Sequence, residues 1–263
     1  MTNPVPVPQL EETAKKIRRR FLGMHFQAKA GHIGSGLSCI DLLTYLYWSH
    51  LRPGDRFILS KGHAASALYA CLRERGLFSE EEIQRYYRDA TTLPAHPAAM
   101  AHAEIPVALG SLGHGLPISA GIALGYRIQG EDRRVACLLS DGECDEGSVW
   151  EAALFAGHHR LSNLAVLVDA NGLQGYGRTD EVLGLEPFAD KWKAFGFEVR
   201  EIDGHDFTAI GRALSSAAGD KPLCVICRTV KGKGVSFMEN KLEWHYLPMN
   251  EEQYKKALEE QGR

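Results

Sequence analysis

Residues 135–173 read VACLLSDGECDEGSVWEAALFAGHHRLSNLAVLVDANGL. Two stretches, Val135–Leu139 and Leu164–Val168, are short and almost wholly apolar, as strands covered on both faces are. Gly147–Arg160, between them, has the length and composition of a helix, so the segment reads as one β-α-β unit with parallel strands. The first run ends in Ser140-Asp141-Gly142 and the second in Asp169-Ala170-Asn171. Asp141 and Asn171 then project from the carboxyl edge of the sheet, where α/β proteins bind ligands. The approach to the helix, Gly142–Gly147, offers backbone N–H groups and a glycine that lets a diphosphate come close. A carboxylate, an amide oxygen, a backbone carbonyl beyond Asn171 and two phosphate oxygens nearly complete the octahedron that Mg²⁺ demands. Either Asp-Gly or Asn-Gly alone is more simply an ordinary turn. Their placement at the two strand ends of one unit favours a hard divalent cation holding a phosphate.

Working outward, extended and helical patterns alternate along the whole chain. Leu10, Ala14, Ile17, Phe21, Met24 and Ala28 form one helical stripe, with Lys15, Lys16, Arg18, Arg19 and Arg20 on the remaining, solvated face. Ser79 with Glu82 has capping-box spacing for a helix through about Arg88. Phe197–Ile202 and Leu223–Val230 read as strands separated by a helix that Asp206 caps, and Asn250 can cap a last helix. The fold class that follows is α/β, a doubly wound, mostly parallel sheet with helices on both faces. Residues 1–9, rich in proline, read as a flexible tail, and 10–263 as a single domain.

Composition narrows the function. The net charge of −3 comes without a basic stripe, so neither nucleic acid nor an anionic membrane is an expected partner. No secretory signal or membrane-length apolar run is present. The six cysteines sit mostly in apolar segments and read as reduced core residues of a cytoplasmic protein. Cys224 and Cys227 have the gap of a zinc or redox motif, but lie in an expected strand with no second pair nearby. Of eleven histidines, His32, His63, His96, His114 and His245 stand in expected loops, four of them next to Gly or Pro, where side chains can converge on a site.

These pieces belong to a larger pattern. It comprises Lys29-Ala30-Gly31-His32-Ile33-Gly34, Asp55 to Ala64, Ala95-His96-Pro97, Gly110-Ser111-Leu112-Gly113-His114-Gly115, Asp141-Gly142 with Glu146-Gly147, Val230 to Gly234 and Trp244-His245. In content and order, from about residue 10 to about residue 255, the chain resembles the amino-terminal half of transketolase. The resemblance implies the thiamine-diphosphate-binding fold, in its diphosphate-binding form. It implies thiamine diphosphate as cofactor, with Mg²⁺ (or Ca²⁺ or Mn²⁺ in its place) held by Asp141, Asn171 and the carbonyl of Leu173.

By the same resemblance, His63, Gly142, Glu146, Asn171 and His245 line the cofactor site, while Gly110 and Leu112 touch its aminopyrimidine ring. His32, His63, His96 and His245 are implied as catalytic groups in the substrate funnel. Neutral imidazoles suit proton transfer there. Glu146 is implied at a subunit interface; independently, it favours the following helix through its dipole.

The chain departs from the family at several points. His114 stands where glutamine is usual, and Ser140 replaces a glycine. Ile33 replaces a proline after His32, which implies a less rigid loop, and Tyr246 replaces a glycine after His245. Lys231 and Lys233 stand among glycines without Walker spacing and read as a flexible loop ahead of His245.

The family also requires a glutamate that activates the cofactor, carried by a pyrimidine-binding domain for which this sequence shows no second β-α-β series. The expectation is therefore a diphosphate-binding subunit of a split transketolase. It would move a two-carbon ketol unit from a ketose or ketose phosphate to an aldehyde or related carbonyl, in a heterotetramer with a pyrimidine-domain subunit. A component of a deoxyxylulose-phosphate synthase-like or 2-oxo-acid dehydrogenase-like enzyme, or a non-catalytic cofactor-binding regulator, is the alternative.

Overall fold

In the computed structural model, which describes residues 5–99, 102–215 and 219–262, the side chains of the quoted segment alternate as a strand buried on both faces requires. The elements in chain order are α1 (Val7–Ala28), α2 (Ile33–Tyr45), β1 (Arg56–Leu59), α3 (Ala65–Glu74), α4 (Glu80–Gln84), α5 (Gly115–Ile128), β2 (Val135–Ser140), α6 (Gly147–His158), β3 (Leu164–Ala170), α7 (Thr179–Val182), α8 (Phe188–Ala194), β4 (Glu198–Asp203), α9 (Phe207–Ser215), β5 (Leu223–Arg228) and α10 (Glu251–Glu260). Leu138 and Leu167 belong to the core shared with α1, α2, α3 and α9. Leu139, Val166 and Val168 belong to the opposite core, shared with α5, α6 and α8. Each such side chain contributes about 1.5–3 kcal/mol when fully buried, so the sheet is held from both faces.

Among the described residues, every strand pairing within the sheet is parallel, in the order β1-β2-β3-β5-β4. Register is what builds the site. Leu59 lies opposite Leu138, Ser140 opposite Asp169, and Ala170 opposite Arg228. The residues that follow β1, β2, β3 and β5 therefore leave the carboxyl edge side by side.

Several local expectations hold. Asp206 accepts from the backbone N–H groups of Thr208 (2.8 Å) and Ala209 (3.2 Å) at the start of α9. Asn250 and Gln253 form a reciprocal capping box on α10, as do Ser79 and Glu82 on α4. Cys224 and Cys227 are buried in separate cores on opposite faces of β5, the parity that a three-residue step along a strand imposes. They cannot share a metal.

Others are corrected. α1 begins at Val7, with Pro8 in its first turn, where a missing N–H costs nothing. Residues 7–9 of the expected tail are thus helical, and residues 1–4 lie outside the described residues. The helix capped by Ser79 stops at Gln84 rather than near Arg88. There the chain turns so that Tyr86 enters the core against His25 and Tyr69. The basic face of α1 is only partly solvated: Arg18 is buried on Asp41, Arg20 reaches Glu74 and Glu80, and Arg19 donates to the carbonyl of Gln261.

Candidate active site

Four of the five loop histidines converge. The His32 ring centroid lies 5.6 Å from that of His63, 6.1 Å from His96 and 5.0 Å from His245. His63 and His245 are 5.8 Å apart. His32 precedes α2 with a left-handed backbone (φ 63°). Its N–H donates to the carbonyl of His245 at 3.0 Å, and its own carbonyl accepts from Gly36 at 3.2 Å. The loop expected to be less rigid without proline is thus anchored on both sides, with Ile33 fully buried. Burial lowers the pKa of all four rings. For His63 the neighbouring Lys61 charge adds to it; for His245, burial and then the Lys231 charge bring it to about 3. All four are neutral imidazoles at physiological pH, able to take or give a proton. Beside them, a cleft of about 590 Å³ is lined by His32, His96, Tyr86, Tyr87 and Pro97 among others.

The quoted segment forms the second half of the site. One carboxylate oxygen of Asp141 accepts from Gly142 N (2.9 Å); the other accepts from Gly172 N (2.7 Å) and the Thr179 hydroxyl (3.0 Å). Asn171 Oδ1 accepts from Leu173 N at 3.1 Å. Asp141, Asn171 and Leu173 are therefore brought together on two adjacent strand ends. Asp141 is buried among uncharged donors, and burial, followed by the negative charge of Asp169, raises its pKa. A divalent cation would favour the charged carboxylate against that shift, and the carboxylate, amide and carbonyl oxygens are the hard donors Mg²⁺ takes. Gly142 leaves room here: a β-carbon would stand 2.7 Å from Cγ of Gln174, whose side chain would have to shift.

Gly110 and Leu112 lie in the loop ahead of α5. A β-carbon on Gly110 would sit 3.6 Å from the His96 ring, which places this loop against the histidines. Gly113 turns with φ +80°, and a side chain there would meet Cβ of Glu146 at 2.7 Å. Glu146 is therefore beside the 110–115 loop, exposed, at the start of α6 without a capping hydrogen bond. His114 is exposed, its Nδ1 3.1 Å from the carbonyl of Leu112.

Three features were not foreseen. Lys231, read as part of a flexible loop, is fully buried. Its Nζ donates to the carbonyls of Leu173 (2.9 Å) and Gln174 (3.2 Å) and lies 3.0 Å from His245 Nδ1, so one ammonium links the turn after β3 to the histidines. Burial lowers its pKa to about 8. Beneath it, Lys61 and Asp169 form an ion pair with both side chains wholly buried. The pair is completed by Ser35 O on Lys61 (2.9 Å) and by the hydroxyls of Ser38 (2.6 Å) and Thr229 on Asp169. Each charge follows an apolar run in the sequence, but that position alone does not reveal burial; the enclosure is tertiary, and a buried charge demands a partner.

Glu143 is the third. Fully buried, it accepts from Gly113 N (2.9 Å), Ser140 N (3.2 Å) and the Ser60 hydroxyl, fastening the 110–115 loop to β1 and β2. Glu143→Ala leaves three buried donors unpaired and is expected to cost about 1–3 kcal/mol. Urea denaturation measures it, with Glu143→Gln losing less.

Comparison with known proteins agrees with this geometry. Residues 11–262 match the family model described as "Transketolase, thiamine diphosphate binding domain". The chain is 38% identical to one subunit of the apulose-4-phosphate transketolase of Phocaeicola vulgatus, over 97% of this chain and 94% of that one. It is 39% identical to 6-deoxy-6-sulfo-D-fructose transketolase subunit SqwG of a Clostridium species, over 95% of each. The solved transketolase of Campylobacter jejuni superposes with a TM-score of 0.89 at 30% identity, covering 98% of this chain but 43% of that one. The chain thus spans nearly the whole of the subunit-type relatives and less than half of the full-length enzyme. With its fold, its strand-end site and its sequence in agreement, this chain belongs to the transketolase family of thiamine-diphosphate-binding domains.

Proposed function

We propose that the chain is the diphosphate-binding subunit of a two-component transketolase, which transfers a two-carbon ketol unit from a ketose or ketose phosphate to an aldehyde acceptor in the cytoplasm. The observation that carries this reading is the junction at Lys231, whose ammonium binds the Leu173 carbonyl on one side and His245, one of four grouped histidines, on the other. Two relatives of nearly the same length are named as transketolase subunits, one for a phosphorylated and one for a sulfonated sugar. That supports an anionic sugar as substrate class and a second polypeptide as partner, carrying the pyrimidine-binding domain and the activating glutamate, in a heterotetramer of two such pairs. The six described cysteines, all free and buried, fit a reducing compartment. No helix among the described residues is long and apolar enough to cross a membrane.

Asp141, Asn171 and the Leu173 carbonyl would hold Mg²⁺ with the diphosphate, and thiamine diphosphate, when bound, supplies the carbon nucleophile for ketol transfer. The protein's own part is position and protons. His245 Nδ1 accepts from the Lys231 ammonium, so Nε2 carries the hydrogen and serves as a donor to a phosphate or hydroxyl oxygen. His32, His63 and His96 are neutral and grouped, and can accept a hydroxyl proton and return it.

This chain is expected to show no ketol transfer alone and full transfer when mixed with its pyrimidine-domain partner, thiamine diphosphate and Mg²⁺. The readout is aldose release from a ketose donor. Transfer by the chain alone would sink the two-subunit claim, and cofactor binding without turnover by the assembled pair would favour the regulatory alternative.

A further inference from the structure

Outside the site, three segments meet at one buried carboxylate. Asp41, on α2, accepts from Arg18 of α1 at 2.6 Å and from His205 Nδ1 at 2.7 Å, both on Oδ2. His205 lies in the turn between β4 and α9, its backbone N–H bound to Asp203 Oδ1 at 2.8 Å. Its other ring nitrogen, Nε2, is 2.9 Å from the backbone nitrogen of Val230. A backbone N–H can only donate, so Nε2 is the acceptor and the ring hydrogen sits on Nδ1, facing Asp41. Val230 directly precedes Lys231, whose Nζ joins Leu173, Gln174 and His245.

The residues around Lys231 are each fastened by a different element. The hydroxyl of Thr229 is bound to Asp169, Val230 to His205, and the N–H of Gly232 to the carbonyl of Gly34 at 3.0 Å. The acceptor of the Val230 bond, His205, is itself oriented from behind by Asp41, which also holds Arg18. We infer that His205 is a positioning residue: held by Asp41 in one tautomer, it fixes the backbone at Val230 and thereby aims the Lys231 ammonium at the junction of cation ligands and histidines. This rests on the proposed function only for what Lys231 serves. The anchoring itself is a property of the chain.

Two substitutions separate the halves of the imidazole. His205→Asn places an amide where Nδ1 stands, keeping the donor to Asp41 and losing the acceptor for Val230. His205→Gln places its amide oxygen near Nε2, keeping that acceptor and losing Asp41. Hydrogen exchange on the full chain alone is expected to show residues 230–232 exchanging about tenfold faster in His205→Asn, with β2 unchanged. In His205→Gln those amides stay protected. In the chain assembled with its partner, binding of thiamine diphosphate with Mg²⁺ should weaken about tenfold in His205→Asn and stay near wild type in His205→Gln.

Equal protection of residues 230–232 in the wild type and His205→Asn overturns the inference, and so do equal affinity losses in both variants. Exchange accelerated uniformly through the sheet overturns it too, since His205 would then serve overall stability. A wild-type assembly that binds no thiamine diphosphate refutes the proposed function, while the exchange result still decides the anchoring.

Discussion

Asp141→Ala is expected to abolish Mg²⁺-dependent binding of thiamine diphosphate in the assembled protein, a loss of more than about 100-fold, larger than removal of groups behind a metal ligand causes. The carboxylate is the single negatively charged member of the proposed cation set, since Asn171 and the Leu173 carbonyl are neutral. It also accepts from Gly142, Gly172 and Thr179, so alanine loosens the loop as well. Asp141→Asn retains the size and one acceptor oxygen, and should still lose most of the affinity because the charge is gone. Isothermal titration with Mg²⁺ and with chelator, beside circular dichroism of each variant, distinguishes the two effects. Unchanged affinity in a folded Asp141→Ala protein would remove Asp141 from the metal site.

Lys61→Met should be the most damaging single change to the fold, lowering stability by about 3–5 kcal/mol, because it leaves the Asp169 carboxylate buried without its counter-charge. Burial by itself would raise the pKa of Asp169 and lower that of Lys61; the partner's charge reverses both, so Asp169 lies below its usual value and Lys61 above. The depressed carboxylate contributes stability above its unfolded pKa of about 3.9, lost as pH falls through the folded value. The raised ammonium contributes below about 10.4, lost as pH rises through its folded value. The difference between wild type and Lys61→Met in urea midpoint should therefore be greatest at neutral to mildly alkaline pH, shrinking as pH falls because the unpaired, buried Asp169 of the variant takes up a proton, and shrinking again as pH rises beyond about 10.4. Adding Asp169→Asn should recover part of the loss, since the unpaired charge then disappears. A Lys61→Met protein as stable as wild type would show that the pair is not an ion pair in solution.

What the sequence disclosed and what it withheld divide along a physical line. The β-α-β unit was legible because burial on both faces leaves an uninterrupted apolar run, and its two ends carry polar residues that a core would not tolerate. Loop histidines beside Gly and Pro were legible for a similar reason, as chemistry placed where the backbone turns. The buried polar network was not. Lys61 and Asp169 are 108 positions apart, and nothing local tells a lysine in a turn that it will be wholly enclosed. Lys231 sits among glycines, which read as freedom; in the fold they permit close packing instead. Glu143 was hidden in an acidic stretch whose neighbours Asp145 and Glu146 are more accessible. The stop of α4 at Gln84 was likewise unreadable, since Tyr86 leaves the helical path for a tertiary contact with His25 and Tyr69.

The order β1-β2-β3-β5 at the carboxyl edge also works as a ruler. Neighbouring strands are spaced about 4.8 Å apart, so the three gaps from the Ser60–His63 turn to the Thr229–Lys231 turn set a baseline of about 14 Å. Hydrogen-bond ladders hold that length, and loops above it can lengthen or change sequence without altering it. Side chains shorten that span from above, since the His63 and His245 rings lie 5.8 Å apart and Lys231 Nζ is 3.0 Å from His245 Nδ1, so even a compact ligand can touch both margins.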